Sequence, residues 1–105
     1  MTSVSAGEIF ARIHQVLLER KSANPDISYV ARLYAQGLDK ILEKVGEEAV
    51  ETLLAAKNGE SDPIIHETAD LWFHTLVMLA HLEISPDRVL EELMRRFGQK
   101  DHGRR

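Results

Sequence analysis

Apolar residues recur along most of this chain at the three- and four-residue spacing of an amphipathic helix, and Gly, Pro and capping residues cut the pattern into segments. Ser5-Ala6-Gly7-Glu8 has the form of a capping box, so a first helix starts there. Ile9, Phe10, Ile13, Val16 and Leu17 make its apolar stripe, until Asn24-Pro25-Asp26 breaks the pattern. Ser28 caps a short second helix with Val30, Leu33 and Tyr34 inward and Gly37 as its left-handed stop. Asp39 is placed to cap the next.

From Leu38 to about Lys57 a count at 100° per residue gives one apolar arc of Leu38, Ile41, Leu42, Val45, Ala49, Leu53 and Ala56. A narrower arc holds Val50 and Leu54, so this helix is expected to pack on two sides, and the remaining wedge carries Lys44, Glu47, Glu48 and Glu51. Asn58-Gly59 ends it. Asp62-Pro63 has the form of a cap followed by Pro at the first helical position, and opens a helix running to about Glu83. That helix is apolar over most of its surface (Ile64, Ile65, Ala69, Leu71, Trp72, Phe73, Leu76, Leu79, Ala80, Leu82), which makes it the central one. Its polar stripe holds His66, Glu67, Asp70, His74 and His81. Ser85-Pro86 opens a last helix with Val89, Leu90, Leu93, Met94 and Phe97 inward and Gly98 closing it. With no strand pattern or repeat, the fold class is all-α: a helical bundle of about four main helices in one domain over residues 1–98, with Gln99–Arg105 as a mobile tail.

At 105 residues the chain can bury a single core but is near the size where a second copy helps, so an oligomer is expected. Seventeen acidic against thirteen basic residues give a formal charge of -4, which argues against non-specific nucleic-acid or anionic-membrane binding. Cys is absent, so thiolate metal sites and disulfides are excluded. The N-terminus has no signal-peptide pattern, and charges and His interrupt the longest apolar run; the expectation is a cytoplasmic protein.

Two carboxylate clusters carry the candidate chemistry. Glu47, Glu48 and Glu51 share a helical face, as do Glu67 and Asp70 sixteen residues further on. If the two helices are neighbours, the like charges raise one another's pKa and destabilise the fold unless cations neutralise them. Glutamates on a helix are usually a solvated face, but Glu67 and Asp70 sit on an otherwise apolar helix where an idle pair is costly. Oxygen ligands without Cys suit Mg²⁺, which lends itself to hydrolysis of a pyrophosphate bond. Glu48, Glu51, Glu67 and Asp70 are accordingly assigned to metal, and Glu47, at the wedge's edge, is the candidate base. Lys40 and Lys44, four apart, either meet phosphate or pair with Asp39, Glu47 or Glu48. His74 reads as a hydrogen-bonded core residue or a support behind the ligands, His66 and His81 as surface or interface residues, and Trp72 and Phe73 as core.

Glu47-Glu48-x-x-Glu51 followed by Glu67-x-x-Asp70 resembles the signature of the all-α nucleotide pyrophosphatases, the superfamily that includes MazG and the dimeric dUTPases. A longer resemblance, to the phosphoribosyl-ATP pyrophosphatase family of histidine biosynthesis, runs through Ser28-Tyr29-Val30-Ala31-Arg32-Leu33, Gly37-Leu38-Asp39-Lys40-Ile41-Leu42-Glu43-Lys44-Val45-Gly46-Glu47-Glu48, Ala55-Ala56-Lys57-Asn58 and Ala69-Asp70-Leu71-Trp72-Phe73-His74. It implies Mg²⁺-dependent hydrolysis of the α-β bond of phosphoribosyl-ATP to phosphoribosyl-AMP and pyrophosphate, by a homodimer. It implies further that Glu48, Glu51, Glu67 and Asp70 bind metal and that Lys40, Lys44, Lys57 and Asn58 lie near the phosphates. Trp72 departs from the Tyr expected there. The cyclohydrolase domain often fused to this family has no room in 105 residues, so the next step is expected on another chain. Two alternatives stand beside this reading: a house-cleaning nucleoside triphosphate pyrophosphatase with the same metal site, and a non-catalytic helical dimer that uses its acids for solubility.

Overall fold

The capping box at Ser5 forms as the sequence requires: the Ser5 Oγ accepts from the Glu8 N–H at 3.1 Å, and Glu8 Oε1 accepts from the Ser5 N–H at 2.8 Å. In the computed structural model, which describes residues 3–98, this starts α1 (Ala6–Glu19). The helix tightens into a 3₁₀ turn at Arg20–Ser22 and so stops short of Asn24, whose Oδ1 accepts from the Asp26 N–H at 2.9 Å. Four further helices follow: α2 (Tyr29–Gln36), α3 (Leu38–Asn58), α4 (Ser61–His81) and α5 (Pro86–Phe97). No strand occurs among the described residues, and the all-α class is as expected. The expected tail at Gln99–Arg105 lies outside the described residues.

Ser28 caps α2 through its Oγ, which accepts from the Ala31 N–H at 3.1 Å. Gly37 then joins α2 to α3 in one residue at φ +97°, a backbone conformation open to glycine. Because the Gly37 carbonyl already accepts from Ile41 at 3.2 Å, Asp39 falls inside the first turn of α3 and is not its cap. The same happens at α4. Gly59 is left-handed (φ +86°), Glu60 is extended, and the helix begins at Ser61, leaving Asp62 and Pro63 inside the first turn. At the last helix Ser85 does cap, accepting from the Asp87 N–H at 3.1 Å with Pro86 at the first position.

The core is built from α1 (Leu17), α2 (Val30, Leu33), α3 (Ile41) and α4 (Leu76, Val77, Ala80), with α4 packed along α3 and against α1. Several faces differ from expectation. On α3 the inward seam is Ile41, Val45, Glu48, Thr52 and Ala55, alternating steps of four and three, whereas Leu42, Val50, Leu53 and Leu54 are exposed. The reason is that a carboxylate occupies a seam position, so an arc drawn through apolar residues alone is rotated away from the true interface. Trp72 is 55% exposed and not core, although its ring meets Phe10 with centroids 6.1 Å apart. On α5, Val89, Leu93, Met94 and Phe97 are exposed, and an apolar cavity of about 430 Å³ opens between α5, Trp72, Leu76 and Phe10. His81 is half-buried, stacked on Tyr34 at 5.9 Å and 18°. No helix among the described residues is long and apolar enough to cross a membrane.

Candidate active site

The seam of α3 places Glu48 against α4 at the level where α4 presents Glu67 and Asp70, one turn apart on one face. One carboxylate oxygen from each of these three residues lies within 4.8 Å of the others. Glu48 is buried at 7% exposure, and Glu67 and Asp70 are half-buried. Glu48 Oε1 and Glu67 Oε1 are both shut off from solvent without a hydrogen-bond partner. Burial, then the charges of Glu51 and Asp70, push the Glu48 pKa up; His74 and Lys44 pull the other way, less strongly.

Such a set is costly as it stands. Buried carboxylate oxygens with no donor keep their desolvation penalty, and the neighbouring charges add to it. A hard cation satisfies both demands at once, since it supplies positive charge and takes oxygen ligands. The residues therefore fit a divalent metal, and the donor set is all oxygen.

The expected four metal residues are not brought together equally. Glu51 lies outside the converging three and is exposed, close enough to act on Glu48 by its charge alone. Glu47 is exposed, and its Oε1 accepts from Lys44 Nζ at 3.3 Å, which holds the Lys44 pKa up. Lys40 pairs with Glu43 at 3.2 Å, a partner not foreseen. Lys57 and Asn58 are exposed at the far end of α3, nine and ten residues beyond Glu48, which is roughly 13–15 Å along the axis at 1.5 Å per residue. His66 is exposed, with Nε2 3.4 Å from Asp70 Oδ2.

His74 is buried and doubly bonded: Nδ1 lies 2.8 Å from the Asp70 carbonyl oxygen and Nε2 lies 2.8 Å from the Tyr29 hydroxyl. Tyr29 and Thr52 were not singled out from the sequence. Thr52 was within reach, because a count at steps of four and three through Ile41 and Glu48 lands on it. Tyr29 was not, since its bond spans 45 residues and no local spacing signals it.

A family model described as phosphoribosyl-ATP pyrophosphohydrolase matches residues 10–97. The match takes in α2 to α5 whole and most of α1, and with them every residue of the converging acid set. The chain therefore belongs to the phosphoribosyl-ATP pyrophosphohydrolase family, a family of hydrolases in histidine biosynthesis.

Proposed function

We propose that the protein hydrolyses the α-β phosphate bond of phosphoribosyl-ATP in a Mg²⁺-dependent reaction, giving phosphoribosyl-AMP and pyrophosphate. The observation that carries this reading is the convergence of Glu48, Glu67 and Asp70 with two buried carboxylate oxygens that lack any donor. Magnesium, when bound, supplies the positive charge that stabilises a transferring phosphoryl group and acidifies water. Glu48, Glu67 and Asp70 would hold it directly, and Glu51, one turn from Glu48, would join them on the solvent side as a fourth acid.

Glu47 is the proposed base. It is exposed at the rim of the acid set, where its carboxylate can take a proton from a water once substrate has drawn Lys44 away. Lys40 and Lys44 are the proposed phosphate contacts nearest the acids; each would exchange a glutamate partner on its own helix for the substrate, an exposed pairing that is worth little to break. Lys57 and Asn58 would meet a part of the substrate that extends along α3. His74 supports the set from behind through the Asp70 carbonyl.

A homodimer is part of this proposal. Val50, Leu53, Leu54, Trp72, Leu93 and Phe97 are between 46% and 66% exposed, and this apolar exposure is what supports the reading. The deciding experiment is turnover of phosphoribosyl-ATP with and without Mg²⁺, beside dUTP and dCTP as competitors. Turnover of either competitor at a rate matching phosphoribosyl-ATP would move the assignment to a general nucleoside triphosphate pyrophosphatase. Absence of any turnover would leave a non-catalytic helical protein.

A further inference from the structure

Helix α3 carries a second seam beside the one that meets α4. Asp39, Glu43, Gly46, Val50, Leu53 and Lys57 recur at alternating steps of four and three, which at 100° per residue confines them to an arc of about 80° along roughly 27 Å of helix. All six are exposed, whereas Ile41, Val45, Glu48, Thr52 and Ala55 of the first seam are buried or half-buried. Leu42 and Leu54 flank the second seam and are exposed as well, so its middle is an apolar strip that none of the described residues covers.

Gly46 stands in that strip without a reason inside the chain. Glycine in a helix interior is unfavourable relative to alanine, and Gly46 keeps ordinary helical backbone, unlike Gly37 and Gly59 with their positive φ. A Cβ built on it meets nothing within 4 Å. Alanine would therefore fit the lone chain and strengthen the helix. The space left by the missing side chain serves a body outside the chain that comes close to the α3 backbone.

The ends of the seam identify that body. Asp39 opens it and Lys57 closes it, and neither has an ion-pair partner among the described residues, while Glu43, at the edge of the arc, is tied to Lys40 at 3.2 Å. A two-fold contact requires a surface that matches itself. Turned end for end, this seam does: Asp39 faces Lys57 of the partner subunit at both ends, Gly46 faces the partner's Val50 twice, and the helix dipoles oppose. A parallel pairing would set Asp39 against the partner's Asp39. We propose that a second copy docks along this seam in antiparallel register, with Val50 of each copy filling the space over Gly46 of the other. Glu48 lies about 140° round the helix from the nearest edge of the seam, so the acid set stays open to substrate. The Lys57 ammonium has three donors, so the pair leaves it hydrogens for a substrate. The proposal rests on the homodimer reading and adds to it the face, the direction and the role of Gly46.

The test is sedimentation of the full-length protein over a concentration series, with helicity and melting followed by circular dichroism. Gly46→Gln should weaken association about tenfold or more with helicity retained. On a seam that faced water the same change would supply a better helix former and raise the Tm with association untouched, and that result overturns the proposal. Asp39→Lys and Lys57→Asp should each weaken association about tenfold, because each reversal sets like charges together twice in the dimer. The double variant should return to within about threefold of wild type; losses that add in the double variant refute the antiparallel register. A wild-type dimer that ignores all four variants has its copies meeting on another face, and this proposal alone fails. A wild-type protein that stays monomeric at every concentration removes the homodimer and this seam with it.

Discussion

The Thr52 hydroxyl lies 3.1 Å from the carbonyl oxygen of Glu67, across the seam between α3 and α4. It also lies 2.7 Å from the Glu48 carbonyl one turn back, so one short side chain ties together the backbones that carry two of the three converging acids. This is a register pin. The valine of Thr52→Val has nearly the same shape but no hydroxyl, and the two carbonyls retain their helical geometry. The expected cost is about 1 kcal/mol, or a Tm lower by roughly 4–8 °C for a domain of this size. Calorimetry should also show weaker Mg²⁺ binding. A lowered Tm with full Mg²⁺ affinity would mean that Thr52 holds the helices together without holding the site.

Glu48 gives a prediction with a definite sign. Its folded-state pKa lies above the unfolded value, so between the two values the native protein binds more protons than the unfolded chain. Stability of the metal-free protein therefore falls as pH rises through that window, from the ordinary glutamate range upward. Glu48→Gln removes the charge. The metal-free variant should melt higher than wild type at pH 7 to 8, the gap should close as pH falls below the ordinary glutamate range, and Mg²⁺ affinity should drop by about tenfold or more. Thermal melts across pH, with and without the metal, check both halves; a metal-free variant less stable than wild type at every pH would refute the account of Glu48 as a strained acid.

Much of this fold was legible in the sequence because its punctuation is chemical. Ser5, Ser28 and Ser85 each cap a helix as their surroundings demand, and Gly37 and Gly59 take the positive φ that ends α2 and α3. Asp39 and Asp62 misled because the glycines before them turn the chain so sharply that the helix has already begun. The faces were harder. A periodicity count assumes that carboxylates face water, and Glu48 at 7% exposure violates that assumption at the seam itself. The acids of the site were readable from spacing, whereas the bond from Tyr29 to His74 depends on how α2 is laid across the bundle, which no local pattern encodes.

Glu83 marks a place where the chain can be improved. After α4 it adopts φ +61°, the one non-glycine residue among those described with positive φ, while Ile84 N–H reaches back to the Leu79 carbonyl at 2.9 Å. That is a helix stop of the kind glycine usually serves. The strain of a left-handed L-residue is about 1–2 kcal/mol, against which the variant loses an exposed contact to Lys21 at 3.7 Å, worth about 0–1 kcal/mol. Glu83→Gly should therefore raise the Tm by a few degrees, roughly in line with 1 kcal/mol, without altering turnover. Melting that is unchanged or lower would show that the lost contact with Lys21 and the greater freedom of glycine in the unfolded chain together outweigh the strain.

The exposed apolar face of α3 separates a lone chain from an associated one. Leu53 is 66% exposed and lies on the side of α3 away from the seam with α4, beside Val50 and Leu54. If that surface met only water, Leu53→Arg would put a charge into solvent and change stability by about 0.5 kcal/mol or less. In a homodimer the same change puts an unpaired cation into an apolar contact, and a loss of about 2 kcal/mol or more is the usual result at a well-packed position. At 1.4 kcal/mol per factor of ten that is roughly a 30-fold weaker association. Sedimentation of wild type and variant over a concentration series reads the difference directly. The expected outcome is a dimer that dissociates at much higher concentration in Leu53→Arg, with helicity retained; identical sedimentation of the two proteins would remove α3 from the interface.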